Sequence, residues 1–419
     1  MLGLDFGTTN SAIAAVAPNG TARLATFAEG DGQTATFRSI LYIDPEAPGE
    51  SGLPPRVSAG PAAIREWLET GGRGRLIQSI KAHLASRNFT TTNLFGVQYR
   101  LEDLIALFLR ALRRAAIEQL GDPGHAVVVG RPVHFSGART PEDDAFAEQR
   151  LRTAVQQAGF EEVVFALEPL AAATQYQQRL DHEELVLIGD FGGGTSDFSL
   201  VRLGPNGSTI LGVDGVALAG DAFDARLIRH LAAPGLGAGS LRRTPFGNEL
   251  AMPGWIYERV ERWDQLSFLK SRDTLETLRT LRHESLEPEK IDALMHLVDD
   301  DLGFRLHGDI EGTKRTLSTE THAAFRFDAP PIALGSNVTR IEMEAWIAPV
   351  VDAIAGCVDR LFATANVPPA EVATVFLTGG TAFVPAVRRL FAERFARANL
   401  RGGDELTTVA KGLALRAAG

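Results

Sequence analysis

The 419-residue chain carries 42 Lys and Arg against 52 Asp and Glu, a net charge of −10, with 45% hydrophobic and 22% charged residues. This is a globular composition with room for more than one core, and it lacks the basic block that would track a nucleic-acid backbone. One cysteine, Cys357, excludes an internal disulfide, no apolar run approaches the ~20 residues of a membrane span, and Met1 leads straight into a strand, so no cleaved leader is expected and the cytoplasm is the expected compartment.

In chain order, "LGLDF", "SAIAAVAP", a turn at Asn19 and Gly20, "TARLATF" and "SILYID" predict a strand meander over residues 2–43. From Ala59 to Leu120 apolar residues recur at three- and four-residue spacing, predicting helices over "PAAIREWLE", around Lys81 and over "LEDLIALFLRALRRAAIEQL". "HAVVVGRPV" follows as a buried strand. Thr140 and Pro141 cap a helix that ends near Gly159, "VVFALEP" is a strand and "LAAATQYQQ" a helix. At Leu185 the opening meander repeats: strand, glycine loop, strand "DFSLV", turn "GPNG", strand "STILGV". The parallel with residues 2–27 predicts an internal duplication, two similar domains facing one another. A Gly, Pro and Arg mixture from Ala232 to Pro253 leads into charged amphipathic helices up to about Ser318, an inserted helical subdomain. The chain closes with a helix over Ile341 to Ala365, a strand "ATVFLTGG", a helix over Val384 to Ala398 and a helix from Thr407.

The two loops carry the chemistry. In "LDFGTTNS" and "GDFGGGTSD" a strand delivers an aspartate, Asp5 or Asp190, and a glycine-rich tip follows. The tips are Gly7 in the first loop and Gly192, Gly193 and Gly194 in the second, with Thr8, Thr9 and Asn10 or Thr195 and Ser196 behind them. Glycine lets the main chain approach an anion and present its N–H groups, so phosphate is the natural guest. The flanking acids would repel phosphate without a cation, which makes magnesium, held through water by Asp5 and Asp190, the consistent companion. Neither loop is a Walker or dinucleotide motif, because a strand follows each where those motifs need a helix. One such loop reads equally as a plain hairpin; two matched copies do not. A third element, "VFLTGGTAFVP", ends a buried strand at Gly379 and Gly380 and suits a base or ribose.

Together these motifs resemble the actin-like ATPase superfamily and, within it, the nucleotide-binding domain of the heat-shock protein 70 family, on its short YegD-like branch. "GLDFGTTNSAIA" resembles that family's first phosphate loop, "ALEPLAAATQY" its connecting segment, "GDFGGGTSDFSL" its second phosphate loop and "LTGGTAFVP" its adenosine motif. "EGTKRTLST" resembles its adenine-binding helix and "SIKAHLASRNF" its lysine-bearing segment. The resemblance implies an α/β actin-like ATPase fold, two duplicated ribonuclease H-like lobes around a central nucleotide cleft. The lobes would span residues 1–180 and 181–419, with a helical insertion at about 232–309 and no peptide-binding domain.

It also implies roles. Gly7, Thr8, Thr9, Asn10, Gly192, Gly193, Gly194 and Thr195 would meet the phosphates of ATP or ADP, and Asp5, Asp190 and Glu168 would order Mg2+ and its waters. Lys81 would place its ammonium at the terminal phosphate and Asp197 would position the attacking water. Glu311, Lys314, Arg315 and Ser318, on one helical face, would take adenosine with Gly379 and Gly380. Phe383 stands where the family sets a second arginine, so the adenine would lie between Arg315 and a ring. Pro132 matches an interdomain switch proline, and Arg139 loosely matches its arginine. Read without the resemblance, Lys81 is a solvated lysine on a helix, Glu168 before Pro169 a helix-entry acid, and the Glu311 face a solvated surface.

The expected function is a slow, magnesium-dependent ATPase that uses the nucleotide to set lobe closure and acts in trans on a client or partner protein. The alternatives are a small-molecule kinase of the same superfold, with Asp190 as base, or a filament-forming actin-like protein. In the insertion, Trp255, Tyr257, Trp263 and Phe268 concentrate aromatics as a docking face or a local core.

Overall fold

The computed structural model describes residues 2–17, 19–29, 32–48, 55–70, 73–121, 124–244, 246–402 and 408–418. The chain divides into two compact units, Met1–Gly215 with Cys357–Ala382 and Phe391–Gly419, and Val216–Gly356 with Phe383–Leu390.

The first unit is built on two sheets of matching topology. Strands β1 (Leu2–Phe6), β2 (Asn10–Val16), β3 (Ala22–Leu24), β4 (Ala126–Arg131) and β5 (Glu162–Leu167) lie in the order β3-β2-β1-β4-β5, with Phe37–Arg38 added beside β2. Strands β6 (Glu184–Phe191), β7 (Ser196–Gly204), β8 (Gly207–Val216), β9 (Thr374–Thr378) and β10 (Asn399–Arg401) lie in the order β8-β7-β6-β9-β10. In each sheet the first strand is antiparallel to the second and parallel to the fourth. The register puts Asp5 opposite Ala12 and Asp190 opposite Asp197, so both aspartates sit one residue before the strand ends. The duplication legible in the two loops therefore extends to whole sheets.

Packing follows from the apolar stripes. On the helix Leu101–Leu120 the residues Leu101, Leu104, Ile105, Phe108, Leu109 and Leu112 are buried, a helical stripe that meets Phe6 and Phe37 of the first sheet, with ring centroids 5.6 and 5.5 Å from Phe108. Phe191 and Phe198 of the second sheet pack with Phe391 at 6.0 and 5.9 Å. The C-terminal helix Thr408–Ala418 crosses the first sheet through small residues, Ala12 and Ala14 against Ala410 and Ala414. A Cβ on Gly412 would stand 1.9 Å from the Ala171 carbonyl oxygen, and one on Gly3 2.2 Å from the Ala414 nitrogen, so both contacts need glycine. Thr407, where the sequence suggests this helix begins, lies outside the described residues.

Elsewhere the elements depart from the sequence reading. The segment around Lys81 is a strand, Arg75–Gln78, followed by a single 3-10 turn, Ile80–His83, and not a helix. Residues 91–100 form a hairpin, Thr91–Leu94 with Val97–Arg100, because Phe95 and Gly96 adopt positive φ (53° and 84°) and Asn93 Oδ1 accepts the Gly96 N–H. Thr140 caps the helix Pro141–Gln157 as its sequence suggests, its hydroxyl accepting the Asp143 N–H at 3.3 Å.

The second unit holds the helix Gly220–Leu231, a small hairpin (Leu241–Arg243 with Glu249–Ala251), and the helices Gly254–Val260, Arg272–Glu284, Pro288–Asp299 and Gly303–Thr319. A long hairpin comes next, His322–Ala329 with Ile332–Thr339, which the sequence reading missed although Phe325, Phe327 and Ala329 alternate inward. Of the aromatics in the insertion, Tyr257 is buried with its hydroxyl donating to Leu236 O at 3.3 Å, and Trp263 Nε1 donates to Asp221 at 2.9 Å. These two belong to a local core. Trp255 is part-exposed under the Arg259 guanidinium, and the side chain of Phe268 lies outside the described residues.

Candidate functional site

The first loop is a tight turn clamped from behind. A Cβ on Gly7 would stand 2.0 Å from the Asn10 carbonyl oxygen, so only glycine closes the turn from β1 into β2. Ser39 holds it: its Oγ donates to Gly7 O at 2.7 Å, its N–H donates to Thr9 O at 2.8 Å, and Ser11 Oγ lies 2.9 Å from Ser39 Oγ. Ser11 and Ser39 are both buried, and sequence reasoning had no signal for Ser39 because it lies 28 residues beyond Ser11. Thr9 Oγ1 is buried and has no protein hydrogen-bond partner. A buried hydroxyl without a partner costs free energy unless something else satisfies it.

The second loop turns through Gly192, whose N–H donates to Thr195 O at 2.9 Å. A Cβ on Gly192 would meet Thr195 only at 3.5 Å, so protein packing does not demand glycine there; its absence of side chain keeps the approach to the loop open. Thr195 Oγ1 donates to Asp197 Oδ2 at 2.9 Å.

Lys81 and Glu168 lie within reach of the charges of both aspartates. Lys81 Nζ is 2.8 Å from Glu168 Oε1, with side chains 11% and 12% exposed. The turn carrying Lys81 starts from Ser79 in the left-handed region (φ 54°), and Arg150 ties down the segment after that turn, donating to the carbonyls of Leu84, Ser86 and Phe89 and to Glu102. Arg150 is itself buried. Glu168 opens the helix Glu168–Ala172 directly after β5 and passes over Gly130, where a Cβ would lie 3.0 Å from Glu168 Cγ.

The electrostatics of this cluster are those of too many acids in too little water. Burial, then the charges of Glu168 and Asp190, push Asp5 well above the usual carboxylate range, while Lys81 opposes them. Burial raises Asp190 as well, against a hydrogen bond from Thr378. Burial first and Asp190 second push Asp197 up to about 7, against the hydrogen bond from Thr195 and the charge of Lys81. Burial works against the Lys81 charge, but Glu168 and Asp5 outweigh it and hold the ammonium above its ordinary value. Four carboxylates face one ammonium.

That donor set fits a hydrated divalent cation. Among the described residues no group of three or more His, Cys, Asp or Glu is placed to grip a metal directly. Magnesium, which keeps several waters and binds through one or two carboxylates plus phosphate oxygens, suits oxygen donors so arranged. The orphan Thr9 hydroxyl and the open approach to Gly192 fit a phosphate.

The third glycine element joins the same cluster. Gly379 has φ +88°, and a Cβ there would be 1.9 Å from the Phe191 carbonyl oxygen, so the Gly379–Gly380 turn lies directly on the end of β6. In the second unit Glu311, Lys314, Arg315 and Ser318 share one face of Gly303–Thr319. Lys314 Nζ donates to Asp224 Oδ2 at 2.8 Å, an ion-pair partner the sequence reading missed, and Ser318 Oγ donates to Lys314 O at 2.9 Å. Arg315 is exposed, and Phe383 is 46% exposed. No described helix is long and apolar enough to cross a membrane.

Twin sheets of matching topology, each carrying an Asp-Phe-Gly turn at the end of its first strand, make an actin-like fold. The Hsp70 protein family model matches residues 75–234 and 280–418, and the chain belongs to the Hsp70 family. It is 26% identical to the chaperone protein DnaK of Thermosipho africanus over its whole length, which spans 58% of that relative. It is 25% identical to the DnaK of Thermotoga maritima, again over its whole length and 59% of the relative's. The chain thus spans less than two thirds of these relatives.

Proposed function

We propose that this site binds ATP with Mg2+ and hydrolyses it slowly, making the protein a nucleotide switch of the chaperone ATPase type. One observation carries the reading: the part-buried Lys81–Glu168 pair stands among Asp5, Asp190 and Asp197, beside a turn whose Thr9 hydroxyl lacks a protein partner. In this reading Gly7, Thr8, Thr9, Asn10 and the Gly192–Thr195 turn bind phosphate through N–H groups and hydroxyls. Asp5 and Asp190 would hold magnesium through water, and the bound ion would supply charge neutralisation at the phosphate oxygens. Glu168 keeps Lys81 charged and fixed, and Lys81 stabilises the negative charge that develops at the terminal phosphate. Asp197 takes a proton from the attacking water, with Thr195 fixing its Oδ2. Gly379, Gly380, Glu311, Lys314, Arg315, Ser318 and Phe383 are assigned to adenosine, and Asp224 orients Lys314. The output is capture of a client or partner protein, in the cytoplasm, on a YegD-like branch of the family; the relatives' printed name, chaperone protein, supports client handling.

The test is single-turnover phosphate release with wild type and Lys81→Ala. The variant should release phosphate about 10²-fold more slowly while binding ATP with near-equal affinity. Equal rates would take Lys81 out of the chemistry.

A further inference from the structure

Thr378 has no part in the sequence reading, yet it hydrogen-bonds Asp190 directly. It is the last residue of β9 and lies opposite Asp190 in the parallel register. Its Oγ1 donates to Asp190 Oδ1 at 2.6 Å, and the residue is 2% exposed. A hydrogen bond to a charged oxygen at this length is a strong one, and the burial of Thr378 keeps solvent from competing for its donor. The next residue, Gly379, presses on the carbonyl of Phe191, the residue after Asp190. Two consecutive residues, the strand end and the first glycine of the turn, therefore grip two consecutive residues of the strand that delivers the aspartate.

We propose that Thr378 is a positioning residue for magnesium-dependent nucleotide binding: its hydroxyl holds the Asp190 carboxylate in one orientation and makes that orientation depend on the Gly379–Gly380 turn. The proposal rests on the ATP–magnesium reading above. A carboxylate that must meet a hydrated cation through water tolerates little rotation, because each misplaced hydrogen bond weakens the whole shell. Fixing one oxygen to a rigid β-strand prevents that rotation. The same bond gives the turn assigned to adenosine a direct hold on the carboxylate assigned to the metal, so disturbance of one is felt at the other.

The experiment is isothermal titration of ADP, once in millimolar MgCl2 and once in EDTA, for wild type, Thr378→Val and Thr378→Ser, with the melting temperature of each apo protein measured beside it. Thr378→Val keeps the shape and removes the donor. It should bind ADP roughly tenfold more weakly in magnesium while its affinity in EDTA matches wild type, and Thr378→Ser should restore most of the loss. Equal affinities of wild type and Thr378→Val in magnesium overturn the assignment. So does an equal loss with and without magnesium, which would make Thr378 a packing residue. If Thr378→Val does not fold, Thr378→Ala serves in its place and Thr378→Ser remains the rescue. Wild type that binds no ADP in either titration removes the nucleotide reading itself, and this assignment with it.

Discussion

Phe383 stands 46% exposed at the end of the short turn that begins at Gly380. The family resemblance sets a guanidinium here. Phe383→Arg should tighten adenine nucleotides by about 1 kcal/mol, roughly fivefold, through stacking on the base. Titration of ATP into both proteins checks this, and weaker binding by the folded arginine variant would show that the ring already serves the base. The residues named in the sequence reading carry their chemistry openly, as acids, a lysine and hydroxyls beside glycines. Ser39, Asp224 and Thr378 do not, because each acts on a partner 28 or more residues away and looks like any other polar residue in its local stretch.

Among the elements, the helix Leu101–Leu120 depends on a cap made across one turn. Asp103 accepts the Arg100 N–H at 2.8 Å and pairs with the Arg100 guanidinium at 3.2 Å. Burial alone would raise the Asp103 pKa, but the hydrogen bonds and charge of Arg100 outweigh it and hold it below the ordinary value. A carboxyl depressed by folding contributes stability above its unfolded pKa and loses it as pH falls through the folded value. Asp103→Ala should therefore cost about 1 kcal/mol near neutrality, and the gap between variant and wild type should close from about pH 5 downward. Denaturant titrations across that range decide it; a gap that persists at about pH 2 would assign the cost to packing. This helix was legible because its apolar period is long. The hairpin before it was not, since "TTNLFGVQYR" is short and its turn depends on Phe95 accepting a left-handed backbone, which sequence preference disfavours.

For the whole molecule, a nucleotide that binds only the native state must stabilise it. MgATP at a hundredfold excess over its dissociation constant should add about 2.7 kcal/mol, raising the melting temperature by several degrees. The increment should shrink when EDTA replaces magnesium, because Asp5, Glu168 and Asp190 then crowd the phosphates without a cation between them. A melting temperature unchanged from micromolar to millimolar MgATP would count against the nucleotide reading as a whole. Scanning calorimetry of the full chain measures both limbs.

By itself the sequence determined the repeated strand–glycine–strand motif with its aspartates, and the family, because such motifs are local and written in adjacent residues. Only the tertiary structure decided that Lys81 rides on a single turn, that Glu168 is its partner 87 residues away, and that Thr378 holds Asp190 across a parallel strand pair. The physical reason is the same in each case. Parallel strands and buried ion pairs are joined through crossovers whose length carries no trace of the contact, so their partners appear only when the chain has folded.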